Sequence, residues 1–316
     1  MLRILLVKTS SLGDVVHNFP VVSDIRRHFP EAAIDWVVEE PYLPMVRLHP
    51  AVRRVIPVAL RRWRKRMLEQ HTWKDIGEFR RMFHVEEYDA IIDTQGLLKS
   101  ALIARAARGR RHGFDASSAR EGMAARLYDA THHVRRGQHA VLRNRQLAAA
   151  SLGYRLEDPT DYGLKAVSSG RQARPYCMLL HGTSRADKLW PVDAWMALGL
   201  LLEERGYACV LPWGDDGERG RSERIAAGLQ QASIPALLPL EKMAELLCGA
   251  AAVIGVDTGL VHLAAALGRP VVAVFSGSDP ALTGVYGAPL GRNLGYQGAP
   301  PNPQEVIAAL ADMKAL

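Results

Sequence analysis

Short apolar runs bounded by turn residues recur along the first half of this chain, at "RILLVK", "IDWVV", "RRVIPV" and "DAIIDTQG", with helix-period segments between most of them. That alternation predicts parallel β-α units. After Gly137 a long helical pattern, "QHAVLRNRQLAAASLGY", closes the first half. The stretch from Leu156 to Pro175 is rich in Asp, Pro, Ser and Gly, lacks hydrophobic periodicity and reads as a linker. Beyond it "YCMLLHG", "ACVLPWG", "PALLPL", "AAVIGVDTG" and "PVVAVFSG" read as strands, with helices from Pro191, near Glu218, near Met243 and from Leu260. Two doubly wound α/β halves are expected, residues 1–155 and 176–316, joined by the linker 156–175, with the last helix free to return to the first half. Such halves place ligands outside the carboxyl ends of their strands, so a cleft between them is expected to hold the site.

Composition sets the class. With 316 residues, 48% hydrophobic and 23% charged, the chain suits a globular protein of two domains. Its net charge of +7 points to an acidic partner: nucleic acid, anionic lipid or a phosphorylated small molecule. Cys177, Cys209 and Cys248 show no C-x-x-C spacing and read as reduced thiols, the first two buried in strands. The apolar run Ile4 to Val7 is too short for a signal peptide, and no run approaches the ~20 residues that span a bilayer. A cytoplasmic protein able to touch a membrane surface is expected.

Candidate chemistry falls at strand ends. In "RILLVKTSSLGDVVHNFPVV" a strand, a turn and a helix follow one another, the geometry that grips phosphate through backbone N–H groups. This turn has one glycine and ends in a carboxylate, Asp14, which suits a helix-start acid and a general base equally well. In "VIGVDTGLVHL" a buried strand ends at Asp257, Thr258 and Gly259 open a helix, and His262 lies one turn on, so an anion could sit on the exposed N–H groups. Helix capping by Asp257 and Thr258 with a buried His262 explains the same residues. In "LLHGTSRADKLWP", Gly182, Thr183 and Ser184 offer small hydrogen-bonding groups and Lys188 a mobile cation before Trp190 and Pro191. In "LPWGDDGERGRSER", Glu218 could accept from ribose hydroxyls or simply serve the helix dipole.

The densest basic cluster is "RRWRKR", with Arg61, Arg62, Arg64, Lys65 and Arg66; Arg120, Arg135, Arg136 and Arg143 add to the same half. Guanidinium forks suit carboxylates and phosphates, although charge runs commonly form solvated faces. No G-x-x-x-x-G-K-[ST] and no G-x-G-x-x-G follows the first strand, which argues against NTPases and dehydrogenases. No D-x-D occurs, so sugar transfer of the kind that anchors a divalent ion there has no foothold.

Taken in order along nearly the whole chain, "KTSSLGDVVHNFP", "VIPVALRRWRK", "YDAIIDTQGLLKSA", "DKLWP", "LPWG" and "VDTGLVHLAAAL" resemble the bacterial lipopolysaccharide heptosyltransferases, the type I enzymes more closely than type II. The resemblance implies the GT-B architecture of two Rossmann-like domains. It further implies inverting transfer of heptose from ADP-L-glycero-β-D-manno-heptose to the first Kdo of Kdo2-lipid A, at the cytoplasmic face of the inner membrane. No metal, cofactor or nucleic acid is involved in that reaction. By the same resemblance Asp14 is the general base and Lys188 steadies the departing ADP. Thr183, Ser184, Lys188, Glu218, Asp257, Thr258, Gly259 and His262 hold the donor. Ser11, Gly13, Arg61, Arg62, Arg64, Lys65, Gln95, Arg120, His139 and Arg143 hold the acceptor. The Arg-rich "ERGRSER" departs from the more acidic family pattern around Glu218. An epimerase on the same scaffold would need no basic acceptor surface, and a nucleic-acid binder would interleave its cations with more aromatics.

Overall fold

The computed structural model describes residues 1–84, 86–156, 159–164 and 174–316. Of the expected linker, residues 157, 158 and 165–173 lie outside the described residues. Two compact units divide between Leu164 and Lys165.

In the first unit the strands are β1 (Arg3–Val7), β2 (Ala33–Glu39), β3 (Val52–Val58), β4 (Glu87–Asp93), β5 (Arg108–Phe114) and β6 (Ala130–His132). They pair in parallel in the order β3-β2-β1-β4-β5-β6. The second unit repeats the plan with β7 (Tyr176–Leu180), β8 (Ala208–Val210), β9 (Ala232–Ser233), β10 (Ala252–Val256), β11 (Val271–Val274) and β12 (Gly291–Leu294). Its order, β12-β11-β10-β7-β8-β9, is the same doubly wound order. Each sheet therefore changes winding direction between its first and fourth strands, β1 and β4 in one unit and β7 and β10 in the other.

Central strands are continuous apolar runs because helices cover both faces: β1 buries Ile4 to Val7, and β7 and β10 are buried throughout. The carboxylate of Asp35, buried in β2, is satisfied by Arg53 at 2.9 and 2.8 Å, Arg54 at 3.1 Å and the Tyr88 hydroxyl at 2.8 Å. Cys177 and Cys209 sit in β7 and β8, and burial pushes both thiols up to about 12.

Two differences from the sequence reading have physical causes. "PALLPL" is not a strand: β9 ends at Ser233, and Pro235 and Pro239 have no N–H to give a ladder. The segment is held instead by the Trp213 indole, which donates to the Pro235 carbonyl at 2.8 Å. Conversely β5, "RGRRHGF", lacks an apolar run yet pairs on both sides, with Arg111 tied across to Asp129 at 2.7 and 2.5 Å. The closing helix of the first unit runs Ala140–Leu152, capped by His139 and ended by Gly153 at φ 77°. The last helix, Pro303–Asp312, sets Val306, Ile307 and Leu310 in the second unit's core with Trp190 and Trp195.

Candidate active site

The turn after β1 is built around hydrogen bonds that a short polar segment can make locally. Ser11 precedes the helix Leu12–Val16, and its N–H and Oγ donate to Asp14 Oδ2 at 2.9 and 3.2 Å. Asp14 thus serves the helix start. Its carboxylate remains partly exposed, at 28%, and faces the Arg120 guanidinium at 3.9 Å. Gly13 lies in the same short helix.

Gln95, from the end of β4, crosses the winding change to hold this turn. Its Oε1 accepts from the Thr9 N–H at 2.7 Å and the Thr9 hydroxyl at 2.9 Å, and its Nε2 donates to the Ser10 carbonyl at 2.6 Å. Buried to 4% exposure, Gln95 shapes the loop that carries Asp14. Beneath it Lys8 donates from Nζ to the Thr94 carbonyl at 2.9 Å and Asn144 Oδ1 at 3.5 Å. Burial pushes the Lys8 ammonium below its ordinary range, while the charges of Asp14 and Asp93 oppose that shift.

Other basic residues divide by how they are engaged. Arg61, Arg62, Arg64 and Lys65 lie on the helix Leu60–Lys65, which follows the edge strand β3. Arg62 is tied to Glu40 at 2.9 Å and Asp75 at 2.6 Å, and Arg61 lies over the Tyr42 ring. Arg64 and Lys65 are exposed. Arg143 donates to the Ser118 carbonyl at 2.5 Å and lies over Phe114, and the His139 Nδ1 accepts from the Val141 N–H at 3.2 Å. Arg143 thereby holds the segment two residues before Arg120, and His139 caps its own helix, Ala140–Leu152.

In the second unit the candidate residues gather at the ends of the adjacent strands β7 and β10. Asp257 is their centre. Its Oδ2 accepts from Lys188 Nζ at 2.6 Å and Ser278 Oγ at 2.6 Å, and its Oδ1 lies 3.6 Å from His262 Nε2. Burial pushes the Asp257 carboxyl up, but hydrogen bonds from His262, Lys188 and Ser278 outweigh this and hold it well below the usual range. The Thr183 hydroxyl donates to the Asp257 carbonyl at 3.3 Å, and Ser184 beside it is exposed. Lys188 ends a short 3-10 turn, Ala186–Lys188, and Trp190 just beyond is buried with its indole donating to the Pro301 carbonyl at 3.0 Å. The cation is therefore held in place rather than mobile.

Thr258 precedes the helix Gly259–Ala266, and His262 is buried against its first turn. Glu218, on the helix Asp216–Ala226 capped by Asp215, accepts from the Gly214 N–H at 2.7 Å. It passes so close to Gly182 that a Cβ there would meet Glu218 Oε1 at 2.3 Å. A Cβ on Gly277 would likewise stand 2.4 Å from the Asp187 carbonyl, so this glycine lets the Ser278 loop approach the Lys188 turn.

Residues 76–305 match the profile of Glycosyltransferase family 9 (heptosyltransferase). The chain belongs to this family. Across 290 residues it is 46% identical to lipopolysaccharide heptosyltransferase 1 of Pseudomonas aeruginosa, covering 90% of this chain and 82% of the relative. Its fold matches the structure of E. coli heptosyltransferase WaaC with ADP at a TM-score of 0.91 and 39% identity, covering 99% of this chain and all (100%) of that one. The structure of the same E. coli enzyme with ADP-2-deoxy-2-fluoro heptose matches at a TM-score of 0.87 and 37% identity, over 98% and 99% of the two chains.

Lys8, beneath the turn after β1, and Ser278, which braces Asp257, were not among the residues picked out from the sequence. Neither had a local signal. Lys8 meets Asn144 across 136 residues of chain, and Ser278 meets Asp257 only because β10 and β11 are neighbours.

Proposed function

We propose that this enzyme transfers L-glycero-D-manno-heptose from ADP-heptose to the first Kdo residue of Kdo2-lipid A. The donor binds in the C-terminal unit and the acceptor in the N-terminal unit. The observation that carries the reading is the convergence of Thr183, Lys188, Glu218, Asp257 and His262 on the β7–β10 winding change. Relatives that match nearly the whole chain include an E. coli heptosyltransferase solved with an ADP-heptose analogue.

In this reading Lys188, oriented by Asp257, faces the diphosphate and offsets the charge that builds on ADP as the glycosidic bond breaks. Glu218 takes the ribose hydroxyls, and Thr183, Ser184, Thr258, Gly259 and His262 take phosphate oxygens and heptose hydroxyls. On the acceptor, a Kdo hydroxyl oxygen forms the new bond to the anomeric carbon as the carbon–oxygen bond to ADP breaks. Asp14 accepts the hydroxyl proton, and attack opposite the leaving group inverts the anomeric configuration through an oxocarbenium-like transition state. Arg61, Arg64, Lys65 and Arg120 meet the carboxylates and phosphates of the acceptor. Because that acceptor is a membrane glycolipid, the enzyme works at the cytoplasmic face of the inner membrane. With charge on the leaving group met by Lys188 and backbone N–H groups, no divalent ion is needed.

Incubating the purified protein with ADP-heptose and Kdo2-lipid A in the presence of a chelator tests this. The expected result is a heptosylated acceptor with inverted anomeric configuration. Absence of product, or product only when a divalent cation is restored, would overturn the reading.

A further inference from the structure

Between the helices Leu60–Lys65 and Gln70–His84 the chain makes a turn whose composition does not suit water. Residues 64–71 are all exposed, with Met67 at 55% and Leu68 fully exposed at the tip. Trp73, 59% exposed, lies back on the turn and donates from Nε1 to the Met67 carbonyl at 2.9 Å. The base of this projection is well packed: Trp63, Phe79 and Phe83 stack edge to face in the core at centroid distances of 5.5 and 4.5 Å. Arg62 fastens it to Glu40 and Asp75. The apolar tip is thus carried outward on a fixed base.

Charge says what covers it. Arg64, Lys65 and Arg66 precede the tip and Lys74 follows it. The one acid among them, Glu69, is 3.8 Å from Arg66 and 3.0 Å from His71. A second copy of this chain would bring a like-charged rim against this one. A nucleic acid would satisfy the cations but leave Met67 and Leu68 in water. An anionic bilayer answers both features, since aliphatic side chains enter the acyl boundary, indole sits at headgroup depth, and ammonium and guanidinium groups meet lipid phosphates. The Trp73 N–H already has its acceptor, so the ring enters a lipid phase without a stranded donor.

We propose that Met67, Leu68 and Trp73 insert into the headgroup–acyl boundary of an anionic bilayer, with Arg66 and Lys74 on its phosphates. This rests on the glycolipid acceptor proposed above and deepens it, because it names the part of the N-terminal unit that meets the membrane.

The test uses the full chain with vesicles of equal parts phosphatidylethanolamine and phosphatidylglycerol, without acceptor or donor, followed by sedimentation. Wild-type protein is expected to bind these vesicles, more weakly at raised salt and on pure phosphatidylcholine. The double variant Met67→Ser with Leu68→Ser, and separately Trp73→Ala, should bind at least about tenfold more weakly. Both variants should retain the wild-type melting temperature and the wild-type rate on a deacylated, water-soluble Kdo acceptor. The proposal is wrong if wild-type protein ignores anionic vesicles or if the variants bind them as well as wild type. A fall in oligomeric mass in the variants would assign the tip to a second copy. Unchanged vesicle binding with a raised KM for acylated acceptor alone would assign it to the acceptor's own chains. Failure of wild-type protein to transfer heptose to either acceptor would sink the proposed reaction, while the vesicle result would still decide the membrane contact.

Discussion

Lys188 Nζ stands 2.6 Å from Asp257 Oδ2, and the pair is largely buried, at 18% and 7% side-chain exposure. A free lysine before a helix would have to be ordered on binding an anion, at a cost in side-chain entropy. Here Asp257, braced by Ser278, has already ordered it. Lys188→Ala is expected to lower kcat by about 10²–10³-fold and to weaken ADP-heptose binding. Asp257→Asn keeps the shape but releases the lysine, so donor KM should rise with a smaller loss of kcat. Steady-state kinetics and donor titration read both, and a change confined to melting temperature would deny Lys188 a part in catalysis.

Gln95 offers a way to disturb the Asp14 turn without touching the residues around Lys188 and Asp257. Its Oε1 serves the Thr9 N–H and hydroxyl, and Gln95→Leu would strand those donors inside the fold. Turnover should fall about tenfold or more, as one or two lost hydrogen bonds loosen the Asp14 turn, while donor affinity stays at wild type. Equal losses in both quantities would show that Gln95 supports the fold at large.

Among the described residues three buried histidines, His49, His112 and His181, are lowered by burial to about 4 and contribute to the acid behaviour. Burial lowers His49 and His181 from 6.5 to about 4, so each stays neutral in the folded chain where the unfolded chain takes up a proton. Their contribution to stability is therefore complete above pH 6.5 and is lost as pH falls from 6.5 through about 4. Within that window each group costs about 1.4 kcal/mol per pH unit. Thermal melts across this range should show a falling midpoint. The slope should be shallower in His181→Gln, whose amide can still donate to Ser222, the partner of His181 Nε2 at 2.8 Å. An unchanged slope in that variant would remove His181 from the account.

The ion pair of Arg145 with Asp24 is buried and two-pronged, at 2.7 and 2.9 Å, and it joins the closing helix of the first unit to the helix Phe19–His28. Removing one partner leaves a buried charge without its counterpart, so Asp24→Asn should lose about 3 kcal/mol in urea unfolding. A loss below about 1 kcal/mol would class the pair with ordinary surface bridges.

How much of this was legible in the sequence depended on burial and chain distance. Central strands such as β1, β7 and β10 were readable because burial on both faces writes an apolar run. β5 was not, because its side chains pair with charged neighbours, nor was β12, "GRNL", which is only half-buried. Asp14, Lys188, Glu218 and Asp257 were picked out as candidates because each follows or closely attends a strand end, where doubly wound sheets place ligands. Sequence alone did not show that Lys188 is already paired, that Gln95 grips the Asp14 turn, or that Arg62 is held by Glu40 and Asp75. Those facts depend on which strands become neighbours.

In the proposed reaction Asp14 acts on the acceptor while the other unit holds the donor. Asp14→Asn isolates it, because an amide oxygen can still accept from the Ser11 N–H and keep the helix start, yet cannot take a proton. The decisive measurement is the single-turnover rate of heptose transfer by this variant at a donor concentration shown by titration to saturate it. Wild-type affinity for ADP-heptose and no transfer above background are expected. Transfer at a rate near wild type, or a loss of donor affinity as large as the loss of rate, would contradict this role of Asp14.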